Sequence, residues 1–234
     1  MVKRDYSLAE ITEKIADMWL PLNEEQRQLV ANTLTIHHYK KNECIYREGE
    51  TPTHLLCLLS GKVKTYKDGV GGRSQIVRVY KPVEYFSYRA HFAGTNLMTG
   101  AAAFEPSVIC KIPLTVINQL LSENLQLAHF FIQKLAKSLG VADSRMVSLT
   151  QKHIRGRLAE AILFLKDRYG LEQDHSTLSI YLSREDLANL SNMTTSNAIR
   201  TLSAFATEKI IAIDGRKIKI IDEKKLEKIS VEGG

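Results

Sequence analysis

The sequence predicts an α+β fold in three parts: an N-terminal antiparallel β-roll over residues 1–120, a long helix over 121–149, and a C-terminal winged helix-turn-helix over 150–234. Three observations carry this reading. Short alternating runs broken by Gly, Pro and Asn fill the first half, the pattern of antiparallel strands joined by turns. One apolar seam at helical spacing follows them, and residues 182–221 then read as helix, turn, helix and hairpin.

In the first part, Thr33–Tyr39, Cys44–Tyr46, His54–Ser60, Lys62–Lys67, Gln75–Tyr80 and Val108–Ile112 are the strand candidates. Gly49, Gly61, Asp68-Gly69 and Lys81-Pro82 punctuate them. A roll of this kind surrounds a small ligand or forms a protein surface. Cys44, Cys57 and Cys110 are too widely spaced for an iron-sulfur cluster and read as small buried apolar residues. His37 and His38 are neighbours on one strand and point to opposite faces, so they cannot share a metal. With no His-x-His and carboxylate cluster, a metal-dependent oxygenase reading of the roll has no ligands, and no catalytic set emerges.

The second part carries the strongest period. Ala128, Ile132, Leu135, Leu139, Ala142, Met146 and Leu149 step by 4, 3, 4, 3, 4, 3, which keeps a narrow apolar stripe on one side of a helix. Such a stripe predicts a partner helix, hence a homodimer. Gly140 within the seam and Gly156 beyond it are the weak points of the helical path.

In the third part, Ser183 stands three residues before Asp186 as an N-cap, and Leu187 and Leu190 form the apolar side of a short helix. Ser191-Asn192-Met193 breaks the period, and Thr194 caps a second helix. Ala198, Ile199, Leu202, Phe205 and Ala206 predict its buried stripe. The outward face holds Thr195, Ser196, Asn197, Arg200 and Ser203, side chains that can bond base edges or phosphate oxygens. Lys209–Ile213 and Lys217–Ile221 alternate around Asp214-Gly215, which predicts a hairpin with Arg216 and Lys217 at its tip.

Composition agrees. At 44% hydrophobic and 25% charged residues the chain is an ordinary globular one, and no apolar run approaches a membrane span. The basic start leads into acidic residues without the apolar core of a signal peptide, so the expected location is the cytoplasm. A net charge of +6 favours polyanions, yet residues 150–234 hold 14 Lys and Arg against 12 Asp and Glu. Placement on particular elements, and not bulk charge, marks the nucleic-acid face.

From these residues the chain resembles the Crp/Fnr family of transcriptional regulators over roughly residues 10–225, with YREGETPTHLLCLLSG (46–61) similar to the family's opening signature. The resemblance implies a cyclic-nucleotide-binding-like jelly roll, a homodimer, a pseudo-palindromic double-stranded DNA site and contact with RNA polymerase. It places phosphate contacts on Ser183, Arg184, Thr194 and Asn197, and base reading on Thr195, Ser196 and Arg200. The cyclic-AMP branch has Arg and Glu where Thr195 and Ser196 stand, so the family's usual half-site is not expected. In the family's phosphate-binding cassette Glu84 matches, but Leu97 and Met98 occupy the Arg-Ser or Arg-Thr positions and neither binds phosphate. Cyclic AMP is therefore disfavoured, and Tyr88 and Arg89 are the remaining anion-binding candidates beside Glu84. The effector and any cofactor stay open. Two other readings stand beside this one: a winged domain that binds protein, and a haem-dependent gas sensor using His54, His91 or His129.

Overall fold

A computed structural model of the chain describes residues 6–69, 72 and 74–232. It divides into two compact units, residues 1–67 with 77–140, and residues 68–76 with 141–234.

The first unit opens with three helices, α1 (Leu8–Lys14), α2 (Ala16–Trp19) and α3 (Glu24–Thr33). Two capping boxes start α1 and α3. Ser7 Oγ accepts from the Glu10 amide while the Glu10 carboxylate accepts from the Ser7 amide, and Asn23 and Gln26 repeat the exchange. The strands follow as β1 (Thr35–Tyr39), β2 (Cys44–Tyr46), β3 (His54–Ser60), β4 (Val63–Asp68), β5 (Ser74–Tyr80) and β6 (Tyr85–Phe86). Helix α4 (Tyr88–Phe92) precedes β7 (Gly100–Ala103) and β8 (Ser107–Pro113), and α5 (Leu114–Glu123) leads into the long α6 (Leu125–Gln151).

The strands form two four-stranded sheets, β1-β8-β3-β6 and β2-β7-β4-β5. Every strand expected from the sequence is present, with β6 and β7 in addition. Between the sheets lies one core of Leu56, Leu58, Val63, Phe86, Ala101 and Ile109, with Tyr80 stacked on Phe86 at 4.8 Å. The other face of the first sheet carries a second core, where Leu55, Cys57, Leu59 and Cys110 meet Ile15, Met18, Ile117, Leu127 and Phe131 from the helices. The alternation along β3 thus serves both layers, which is why the whole of Leu55–Leu59 is buried. Gly61 makes the turn after β3 with φ +90°, and a Cβ there would stand 2.3 Å from Ser107 Oγ. Only glycine fits it.

Cys57 and Cys110 are buried as expected, but Cys44 is exposed on the short β2. That strand is three residues long, and only Ile45 and Tyr46 of it turn toward the inter-sheet core.

Helix α6 is 27 residues long. Leu127 and Phe131 face the second core, whereas Ile132, Leu139 and Met146 are 61%, 64% and 61% exposed. With Leu125 they recur every seven residues. Ala128, Leu135 and Leu149 of the predicted seam are partly covered, and Ala142 is exposed. Gly140 has open space where a Cβ would stand.

The second unit contains α7 (Ile154–Tyr169), α8 (Arg184–Leu190), α9 (Thr195–Thr207), the hairpin β9 (Ile211–Asp214) and β10 (Lys217–Ile220), and α10 (Glu223–Glu232). Its core joins Leu158, Ile162 and Leu165 of α7 to Leu187, Leu202, Phe205, Ile218 and Leu226. Gly156 is buried within the first turn of α7 and not at a joint; the helical path breaks at Lys152 and His153, the latter being the N-cap of α7.

Candidate nucleic-acid interface

Two successive N-caps build the helix-turn-helix. Ser183 Oγ accepts from the Asp186 amide at 2.9 Å and donates to the Asp186 carboxylate at 2.7 Å, which starts α8. Helix α8 ends at Ser191, whose hydroxyl donates to the Leu187 carbonyl. Asn192 takes φ +51° in the turn, and Thr194 caps α9 by accepting from the Asn197 amide at 3.2 Å.

Helix α9 buries Ala198, Thr201, Leu202 and Phe205. Ile199 does not belong to that stripe. It is 47% exposed, and Thr201 holds the buried place beside Ala198. On a 3.6-residue helix, Ile199 is rotated by roughly 100° from Ala198, toward Thr195, Ser196 and Ser203. Those three residues and Arg200 are exposed, Thr194 likewise, and Asn197 is half-buried. The sequence thus placed the polar side chains of this face, and misassigned its one large apolar member.

The wing closes on a two-residue turn. Asp214 pairs with Lys217, so the turn residues are Gly215 and Arg216, one place later than the Asp-Gly expected. Gly215 takes φ +54°, and glycine at the first central position is what a type II′ hairpin turn requires. The hairpin is held from three sides. Leu178 donates to the Ile218 carbonyl and Ile220 to the Ser176 carbonyl, so residues 176–178 run antiparallel beside β10 through an isolated bridge between Thr177 and Lys219. Lys217 Nζ lies 5.8 Å from the Tyr181 ring centroid. Arg184 Nη2 donates to the Gly215 carbonyl at 2.6 Å, tying the first turn of α8 to the wing tip. Arg216 and Lys217 are exposed. The same unit is braced behind α9, where Arg155 meets Glu208 through two hydrogen bonds of 2.8 and 2.9 Å.

The effector candidates lie in the first unit. Glu84 accepts from the Lys81 amide at 3.0 Å. Tyr88 is buried, with its ring 5.3 Å from Phe131 and 5.7 Å from Phe92, and burial pushes its phenol pKa up. Arg89 is exposed. Leu97 is buried and its backbone pairs with Gly49 and Glu50, while Met98 is exposed. A cyclic phosphate therefore finds no guanidinium-hydroxyl pair at 97 and 98, and Tyr80 and Phe86 stack within the core between the sheets. These residues do not fit a cyclic nucleotide bound by the family's usual contacts. Of the haem candidates, His54 Nδ1 lies 2.8 Å from Thr53 Oγ1, His91 Nε2 lies 2.9 Å from Asn118 Oδ1, and His129 is exposed on α6. Among the described residues no three His, Cys, Asp or Glu side chains stand together as a metal site.

Comparison with known proteins adds the family context. The cyclic nucleotide-binding domain family matches residues 36–124, and the Crp-like helix-turn-helix domain family matches residues 156–229. The chain is 25% identical over 215 residues to the probable transcriptional regulator flp of Lacticaseibacillus casei, covering 91% of this chain and 95% of that one. It is 24% identical over 186 residues to the transcriptional activator protein Anr of Pseudomonas protegens, covering 78% and 75%. Among solved structures it is similar to FixK2 from Bradyrhizobium japonicum, with a TM-score of 0.76 and 24% identity over 85% of this chain and 98% of that one.

Proposed function

The chain belongs to the Crp/Fnr family of transcriptional regulators, and from that premise we propose that it binds a pseudo-palindromic site on double-stranded DNA as a homodimer, with an effector site in its roll. Its relatives are regulators and not enzymes. The observation that carries the proposal is the exposed polar face of α9, which follows a short capped helix whose first turn is tied to the tip of a basic wing. Thr195, Ser196 and Arg200 read base edges from that face, and Arg200 offers guanine two parallel hydrogen bonds. Thr194, Asn197, Arg216 and Lys217 hold the phosphates, and Ser183 and Arg184 serve them by starting α8 and fixing the wing tip.

Dimerisation rests on α6. Ile132, Leu139 and Met146 leave most of their apolar surface in water, and a second copy of the same helix, laid parallel, covers it knob into hole. No helix among the described residues is long and apolar enough to cross a membrane. In a cytoplasmic regulator of this kind RNA polymerase is the further partner, met by the DNA-bound dimer. The effector is expected to be other than cyclic AMP, with Glu84, Tyr88 and Arg89 as its candidate contacts and Arg89 as the cation among them.

Selection of bound duplexes from random DNA, read with a salt titration, tests the proposal. The expected product is a twofold-symmetric sequence whose affinity falls steeply with salt, because each neutralised phosphate releases counterions. Retention of no sequence, or binding without salt dependence, would sink it, the second result pointing to a protein partner for the wing.

A further inference from the structure

Of the three large apolar side chains on α9, Leu202 and Phe205 are buried and Ile199 is 47% exposed. It stands on the face that also carries Thr195, four residues before, and Ser203, four residues after, with Arg200 next to it in the chain. A sec-butyl group on this face makes no hydrogen bond to a base edge or a phosphate. In a DNA major groove the base pairs differ by donors and acceptors, and the 5-methyl group of thymine is the apolar feature they present. The recognition helix enters the groove by its N-terminal turns, and Ile199 is the fifth residue of α9.

We propose that Ile199 is a specificity-determining residue that selects a thymine in each half-site through that thymine's 5-methyl group, beside the guanine read by Arg200. The inference deepens the DNA-binding reading above and rests on it. The hydrophobic contact removes both the Ile199 side chain and the thymine methyl from water, so its gain is lost whenever cytosine, or a thymine lacking its methyl, takes the position. The methyl group of Thr195 lies one turn away on the same face and is the rival reader of the same feature.

The test uses the full chain and the duplex recovered by selection. Deoxyuridine replaces thymine at one symmetric pair of positions at a time, which deletes the methyl group and keeps every base-pairing hydrogen bond. The expected result is one thymine per half-site whose methyl loss weakens binding by about fourfold for each methyl group removed, hence about fifteenfold for the symmetric pair. Ile199→Ala should bind more weakly, show no discrimination between thymine and uracil at that position, and keep both the salt slope and the guanine preference. Ile199→Val, which keeps a branched methyl pair, should retain the discrimination. Because Ile199 lies outside the core, thermal melting of both variants should match the parent, so a change in discrimination is not a change in folding.

If no thymine in a bound site responds to its methyl group, or if Ile199→Ala still discriminates, the assignment to Ile199 is wrong while DNA binding stands. If no duplex is retained in the first place, the DNA-binding reading itself fails, and this inference with it.

Discussion

Ser183 and Thr194 occupy equivalent places at the starts of α8 and α9, yet their hydroxyls are not equally free to meet a phosphate. Ser183 spends its hydrogen on the Asp186 carboxylate, while Thr194 only accepts from the Asn197 amide and keeps its hydrogen to donate. Arg184 is likewise committed, to the wing tip, whereas Arg200 is exposed. Arg200→Ala should cost about 1–3 kcal/mol of binding free energy and relax preference at one base position; Arg184→Ala should weaken all sequences alike. Binding measured on a panel of single-base variants separates the two patterns. Glu208 adds a pH dependence. Its hydrogen bonds to Arg155 hold the carboxyl below the ordinary glutamate value of 4.5, so the stability they supply is fully present above that pH and lost as pH falls through the lowered value. Thermal unfolding of the parent and Glu208→Gln should differ at neutral pH and converge on acidification. At this scale the sequence was legible wherever chemistry dictates exposure, as with Arg200, and misleading where an apolar residue stands in water, as with Ile199, whose buried place Thr201 fills.

Helix α6 was the easiest element to read, because its seven-residue period says both that a helix forms and that one side of it wants a partner. Leu139→Asp would place two carboxylates against each other in a paired seam and touch no buried neighbour in the isolated chain, where Leu139 is 64% exposed. The variant should sediment as a folded monomer and lose most of its DNA affinity; a dimer of unchanged strength would remove α6 from the interface. Strand β7 was illegible for the opposite reason. Gly100–Ala103 has no β-branched or aromatic residue, and small side chains are needed there because Tyr66 lies over Gly100, with its ring 2.8 Å from where a Cβ would be. Helices α1 and α3 did announce themselves, through Ser7 with Glu10 and Asn23 with Gln26, and the reading of the first 120 residues as strands alone passed over two regular capping boxes.

In the whole molecule, the proposed pairing through α6 would bring two copies of the α9 surface to one duplex. Their half-sites should then lie about 34–36 Å apart, near 10–10.5 base pairs, on one side of the helix. Inserting about five base pairs between half-sites turns one of them to the far side, and affinity should drop to that of a single half-site; adding a full turn should not restore it, since a paired α6 does not stretch. A gel-shift series over spacer length measures this directly. The N-terminal unit's family was legible from its turns, while its effector was not, since the residues at 97 and 98 state which chemistry is missing and leave its replacement unnamed. The wing has a consequence of its own. Moored by Arg184 at its tip, by residues 176–178 along its edge and by Lys217 on Tyr181, the hairpin is already shaped before the proposed contact with DNA. Little ordering entropy is then left to lose on contact, so the heat capacity change of association should track buried surface alone, without the added increment that accompanies folding upon binding.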